Sequence, residues 1–193
     1  GDSTGVGASI AINVSNMAVE AEVADGAGVS GANDLTLEAT GSGENTTEGL
    51  GGATGKASST GVGGAIVISV IEQDTKARIG TDLGTTSVAG DISVDATHHG
   101  KSTTEAKADA TASTAIGASI AVAYVEDGAT AHIARTMSAG GSVSLTAHAD
   151  GSSETTATAS AEGVKDDGSK ADDQKGAATG LGPLGVGEVE PEH

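Results

Sequence analysis

The chain has 193 residues, with 31 Gly, 2 Pro, no Cys, no Trp, no Phe and one Tyr. Its 9 Lys and Arg stand against 27 Asp and Glu, a net charge of −18. The missing aromatics exclude a core built on large rings. Missing Cys excludes disulfides and thiolate chemistry. The acidic balance argues against nucleic acid and anionic membranes, which attract clustered cations.

Fewer than about one residue in five is Leu, Ile, Val or Phe, a composition that together with this charge describes a disordered chain unless periodicity overturns it. No apolar run is long enough to cross a membrane as a helix. Gly1 opens directly in Gly/Ser/Thr-rich sequence without a signal-peptide pattern, so a mature product or an excised fragment is expected.

Periodicity begins at once. Thr4–Val14 (TGVGASIAINV) returns as Thr60–Val70 (TGVGGAIVISV) and as Thr114–Tyr124 (TAIGASIAVAY), first 56 and then 54 residues on. Val6, Ala8, Ile10, Ile12 and Val14 share one parity, so in a strand they share one face. Ile66, Ile68 and Val70 repeat the set, as do Ile116, Ala118, Ile120, Val122 and Tyr124. This face is expected to be the buried one, with Ile12, Ile68 and Val122 stacked above one another.

A second element follows as Ala21–Val23, Ala77–Ile79 and Ala131–Ile133, at the same two offsets. The third reads Leu35–Thr40, Ile92–Thr97 and Val143–His148, with Leu35, Leu37, Ile92, Val94, Val143 and Leu145 expected inward. A fourth starts at Thr46, Thr103 and Thr155 and alternates small with polar, as in Ala106, Ala108, Ala110 and Ala112 between Lys107, Asp109 and Thr111. Alanine favours helix, but a period of two with Ser, Thr and Gly between reads as strand. Turns are expected at Asn16, Asp25-Gly26, Asn33-Asp34, Gly90-Asp91, Asp127-Gly128 and Gly140-Gly141.

Four elements in one order, three times, mark a repeat architecture. The expected fold is all-β, a parallel β-solenoid (β-helix) over residues 1–163, with repeats at 3–58, 59–112 and 113–163. A repeat of this length suggests two to three coils, each of three or so strands. An antiparallel β-sandwich or meander is the alternative. Residues 164–193 hold both prolines and the runs Asp166-Asp167 and Asp172-Asp173, and are expected to be an acidic linker or an end-capping tail.

The phrases Gly7–Val14, Val23–Ala27 and Asp34–Ala39, with their repeats, resemble the Gly/Ala/Thr-rich repeats of giant bacterial exoproteins. These are the filamentous haemagglutinin-like and autotransporter-type adhesins with β-helical shafts. The likeness covers roughly Ser3 to Gly163 and carries over no catalytic residue. It implies an extracellular or cell-surface shaft with adhesion as its usual role.

Chemistry-bearing candidates are few. Asp25, Asp82 and Asp127 could offer calcium a carboxylate each, but calcium wants six to eight oxygens, so plain Asp-containing turns are the simpler reading. His98-His99 is the most zinc-like feature. Neighbours on a strand face opposite ways, no Cys assists, and a surface turn is expected there. Gly51–Gly55 (GGATG) has the glycines of a calcium-binding nonapeptide repeat without its Asp. No Gly-x-Ser-x-Gly elbow appears. Thr156-Ala157-Thr158 suggests an ice-binding array only if every coil repeats it.

The expected function is therefore a structural or adhesive module and not an enzyme, with no cofactor except possible calcium. Its expected partners are itself or flanking coils, end to end, and host or cell-surface glycans or proteins. Nucleic acid and membrane insertion are not expected. The competing reading is a β-helical enzyme acting on polysaccharide, and a third is a self-assembling fibre subunit.

Overall fold

A computed structural model describes residues 3–55, 59–81 and 86–163. Every regular element in it is a strand: β1 (Thr4–Val23), β2 (Leu35–Thr54), β3 (Thr60–Ile79), β4 (Thr86–Val88), β5 (Ile92–Ala112), β6 (Thr114–Ile133), β7 (Met137–Ala139) and β8 (Val143–Gly163). All pairing is parallel. One sheet runs β1-β3-β6, a second β2-β5-β8, and the short pair β4-β7 makes a third side, with Ala32 bridging Val88. This is the all-β parallel solenoid.

The register matches the repeats. Thr4, Thr60 and Thr114 stand side by side, and so on without a slip to Val23, Ile79 and Ile133. Leu35, Ile92 and Val143 do the same in the second sheet. Each repeat is thus one coil, not two or three. The expected turns at Asn16 and Asp127-Gly128 do not exist; both sites lie inside strands of 20 residues. At about 3.3 Å per residue such a strand spans roughly 65 Å. The coil is a flattened loop with two long sides and one short one. The turn signals at Asp25-Gly26, Asn33-Asp34, Gly90-Asp91 and Gly140-Gly141 do fall at its corners, and Gly26 takes a φ of 75° that suits glycine.

Strand continuity overturns the face assignment of the first block. Val6 to Val14 sit on even positions, whereas Val19, Ala21 and Val23 of the same strand are odd and pack into the core. One strand cannot turn both sets inward. The even set faces out: Ile12 is 66% exposed and Val122 51%. Ile12, Ile68 and Val122 do stack in register, but on the outer face.

The reason lies across the interior. In this half the two sheets approach so closely that a Cβ on Gly51 would stand 1.7 Å from the Gly64 carbonyl oxygen. One on Gly7 would stand 1.7 Å from that of Gly52. Sheets ordinarily pack about 10 Å apart, and no isoleucine fits a narrower gap. The inward side is a zipper of small residues, with Ala65, Val67, Ala106 and Ala108 buried together.

The other half is built conventionally. Leu37, Ala77, Ile79, Val88, Ile92 and Val94 form a buried aliphatic cluster, with Leu35, Val23 and Ile133 against it. Val143 and Leu145 share the register of Ile92 and Val94 but are about half exposed, because β8 is the last strand. Among the described residues both ends of the stack are open, β1 and β2 at one and β6 and β8 at the other; the expected tail, 164–193, lies outside them.

Candidate functional site

The acidic corners act as clamps between coils. The Asp25 Oδ1 accepts from the Thr81 amide at 2.7 Å and from its hydroxyl at 3.1 Å, and Arg78 approaches at 3.6 Å. Those hydrogen bonds, helped by Arg78 and Arg135, hold the Asp25 carboxyl below its ordinary value. One corner on, Asp34 accepts from the Asp91 amide at 2.8 Å, and Asp91 accepts from the Ser142 amide at 2.7 Å. The Ser142 amide and hydroxyl likewise lower the Asp91 carboxyl. Arg135 reaches across to donate to the carbonyls of Ala24, Ala27 and Gly80. Asp25, Asp34 and Asp91 are thus each committed to a neighbouring coil.

Of the three calcium candidates, Asp25 is such a clamp and Asp82 lies outside the described residues. Asp127 is not at a turn. It sits inside β6, its side chain 10% exposed, in the interior. Among the described residues no three His, Asp or Glu side chains are placed to share a metal ion.

Asp127 belongs to a polar belt that divides the interior. Met17, Gln73 and Asp127 form an inward column on the first sheet. Gly43, Gly100 and Gly151 form a facing column on the second. A Cβ on Gly43 would meet Gln73 Oε1 at 2.2 Å, and one on Gly100 would meet Asp127 Oδ2 at 2.2 Å. The glycine column makes the room that Gln73 and Asp127 occupy. Beside it His98 is fully buried, its Nδ1 3.0 Å from Thr75 Oγ1 and its Nε2 3.6 Å from Asp127 Oδ1. Thr104 donates to Ser69 at 3.0 Å on the other flank. Gln73 Oε1, His98 Nε2, Ser102 Oγ and Asp127 Oδ1 are buried without a hydrogen-bond partner among the described residues. Such groups weaken a core, so the belt is where the stack is least well satisfied.

The surface turn expected at His98-His99 is therefore a strand position, and only His99 faces out. The sequence does carry the signal: His98 shares the parity of the inward residues Ile92, Val94 and Ala96. Outside, His148 Nε2 lies 2.8 Å from Asp150, and His99 Nδ1 lies 3.4 Å from the same carboxylate. Thr156 and Thr158 pair with Glu105 and Lys107, so no threonine array continues onto the next coil.

The two outer faces differ. That of the second sheet carries Asp95, Thr97, His99, Lys101, Thr103, Glu105 and Lys107 along β5 alone. That of the first is split across the strands. Its far half is charged, with Arg78 bridging Glu20 at 3.0 Å and Glu22 at 2.7 Å. A shallow hollow of about 520 Å³, edged by Asn16, Glu72, Asp74, Lys76 and Glu126, marks the boundary. The near half is the apolar array, ending where the Tyr124 hydroxyl donates to Glu126 at 2.8 Å. The array is plain in the sequence; the side of the sheet it occupies is the reverse of the one expected. No known family model, curated protein or solved structure matches this chain.

Proposed function

We propose that the chain is a structural segment of a longer β-solenoid shaft, extracellular or on a bacterial cell surface, that carries adhesive surfaces and does no catalysis. The observation behind this reading is the pair of open ends. β6 and β8 offer a following coil the same parallel edges that β1 and β2 offer to β3 and β5. A solenoid extends by that pairing, and its stability grows with each interface added. The resemblance to exoprotein shafts points the same way, and makes surface glycans or proteins the partners for the outer faces.

The test is to add a coil. A copy of residues 60–112 joined after Gly163 should pair with β6 and β8, raise the melting temperature and resist protease. An appended coil that is digested freely, with the melt unchanged, would refute the shaft reading. A turnover assay on acidic polysaccharides should show no product, and clear turnover would favour a polysaccharide-active enzyme.

A further inference from the structure

We infer that the apolar half of the first sheet's outer face is an interface for a second copy of this chain, packed face to face about a twofold axis near Ile66. This lateral contact is separate from end-to-end stacking, and either can fail without the other.

The charge layout is the first argument. Along Thr4–Val14, Thr60–Val70 and Thr114–Tyr124 no outward position carries a charge, in a chain of net charge −18. Val6, Ile10 and Val14 are 72%, 70% and 72% exposed. A contiguous apolar patch of a few hundred Å² is the kind that on soluble proteins often serves a contact. The other half of the same face carries Glu20, Glu22, Glu72, Asp74 and Glu126 against Lys76 and Arg78.

That split selects the occupant. In a twofold pair with Ile66 near the axis, strands cross antiparallel and apolar half covers apolar half. The two acidic halves then project in opposite directions: Glu72, which opens each half, stands about 20 Å along the strand from the axis, so the halves begin about 40 Å apart, beyond the roughly 8 Å screening length in physiological salt. A lipid surface would meet the apolar and acidic halves in one plane, and anionic headgroups repel the latter. A glycan partner stacks best on aromatic rings, and this patch offers only Tyr124. A second copy brings the same strand spacing and the same β-branched side chains, so the two faces can interdigitate as paired sheets do.

Size sets the strength. Three strands across and five outward positions along give a patch of roughly 14 Å by 30 Å, about 400 Å² per copy. A standard interface buries about 800 Å² per partner. Three coils therefore make a weak pair, seen only at high concentration, and each coil added to a longer stack would widen the contact by about 140 Å² per copy.

The chain has no cysteine, so single-cysteine variants of the full chain report on contact directly. Ile66→Cys, treated with a short bismaleimide at rising concentration, should give covalent dimer at least tenfold faster than Thr103→Cys on the opposite outer face. Sedimentation should show a concentration-dependent dimer, lost in Ile10→Thr/Ile66→Thr/Ile120→Thr while its circular dichroism spectrum stays that of the parent. Equal crosslinking at the two positions would overturn the proposal in favour of end-to-end stacking. A strict monomer up to about 1 mM, the weak limit of specific association, would also overturn it. So would a dimer appearing only once residues 164–193 are removed, which would make that segment the occupant. Capture of a monomer on neutral phosphatidylcholine vesicles would assign the face to lipid.

Discussion

The two halves of each long strand in the first sheet solve one problem in opposite ways. From Val19 to Val23, and at Ala77 and Ile79, the larger apolar side chains turn inward and an aliphatic cluster fills a normal gap between sheets. From Thr4 to Val14 they turn outward, and glycine and alanine let the backbones nearly touch. The first half gains by burying side-chain area; the second gains by packing backbone on backbone through a thin layer of small groups. A chain poor in large apolar residues can therefore still fold, because much of this half's interior is Gly, Ala and Ser, with Val67 and Ile71 buried among them. The cost is an apolar face left outside.

Charge insertion should break this comparison most sharply. Val67 is fully buried in the small-residue zipper, and its neighbour Ile68 faces out, half-buried between Ile12 and Val122. Val67→Asp buries an unpaired carboxylate and should cost about 5 kcal/mol or more, unfolding the middle coil. Ile68→Asp should leave the circular dichroism spectrum and the melt nearly unchanged. Unfolding of the second variant and survival of the first would put the Ile68 face inside.

Glycine substitutions sharpen the same contrast in smaller steps. Gly51→Ala drives a methyl into the Gly64 carbonyl, and rigid backbone cannot step aside, so a loss of about 3 kcal/mol or more is expected. Gly43→Ala meets the far end of the Gln73 side chain, which can rotate more readily than backbone, and should cost about 1 kcal/mol. At Gly28 an added methyl would have nothing within 4 Å, so Gly28→Ala should stay within about 0.5 kcal/mol. Denaturant midpoints of the three variants give the order directly.

Much of this is legible in the sequence. The offsets between Thr4, Thr60 and Thr114 are the pairing register itself, and the inward parity of Leu37, Ile92 and Val94 holds in the fold. The coil count and the face of the first block are not legible, and both errors have one origin. Strands usually run about five or six residues, so Asn16 and Asp127-Gly128 read as turns, and blocks divided by turns can all point inward. Without those turns the parity change between Val14 and Val19 forces one set outside. Parity alone does not say which set. That is decided by the opposite sheet, where Gly49, Gly51 and Ala53 come too close for isoleucine. The polar belt is hidden for a similar reason: Gln73 and Asp127 come from separate strands of one sheet and meet His98 of the other only across the interior.

The corner clamps give the smallest effect. Asp25 and Asp91 have carboxyls held below their ordinary values by amide and hydroxyl donors. A carboxyl depressed in the fold contributes stability above its unfolded value, about 3.9, and loses it as pH falls through the lower folded value. Melting temperature should decline on acidification below about pH 4, and Asp25→Asn/Asp91→Asn should flatten that decline slightly. A double variant with an unchanged acid profile would remove the clamps from the account.

Cysteine reactivity tests the division of the two faces most directly. Val67→Cys and Ile68→Cys are adjacent in one strand, and the chain supplies no competing thiol. At high dilution, where lateral pairing is absent, a small maleimide should modify the half-buried Ile68→Cys within about tenfold of the rate of an unfolded control. Val67→Cys should react at least a hundredfold more slowly, through opening of the stack alone. Fast labelling at position 67 with protection at position 68 would show that the large apolar residues point inward after all, and the small-residue interior would not stand.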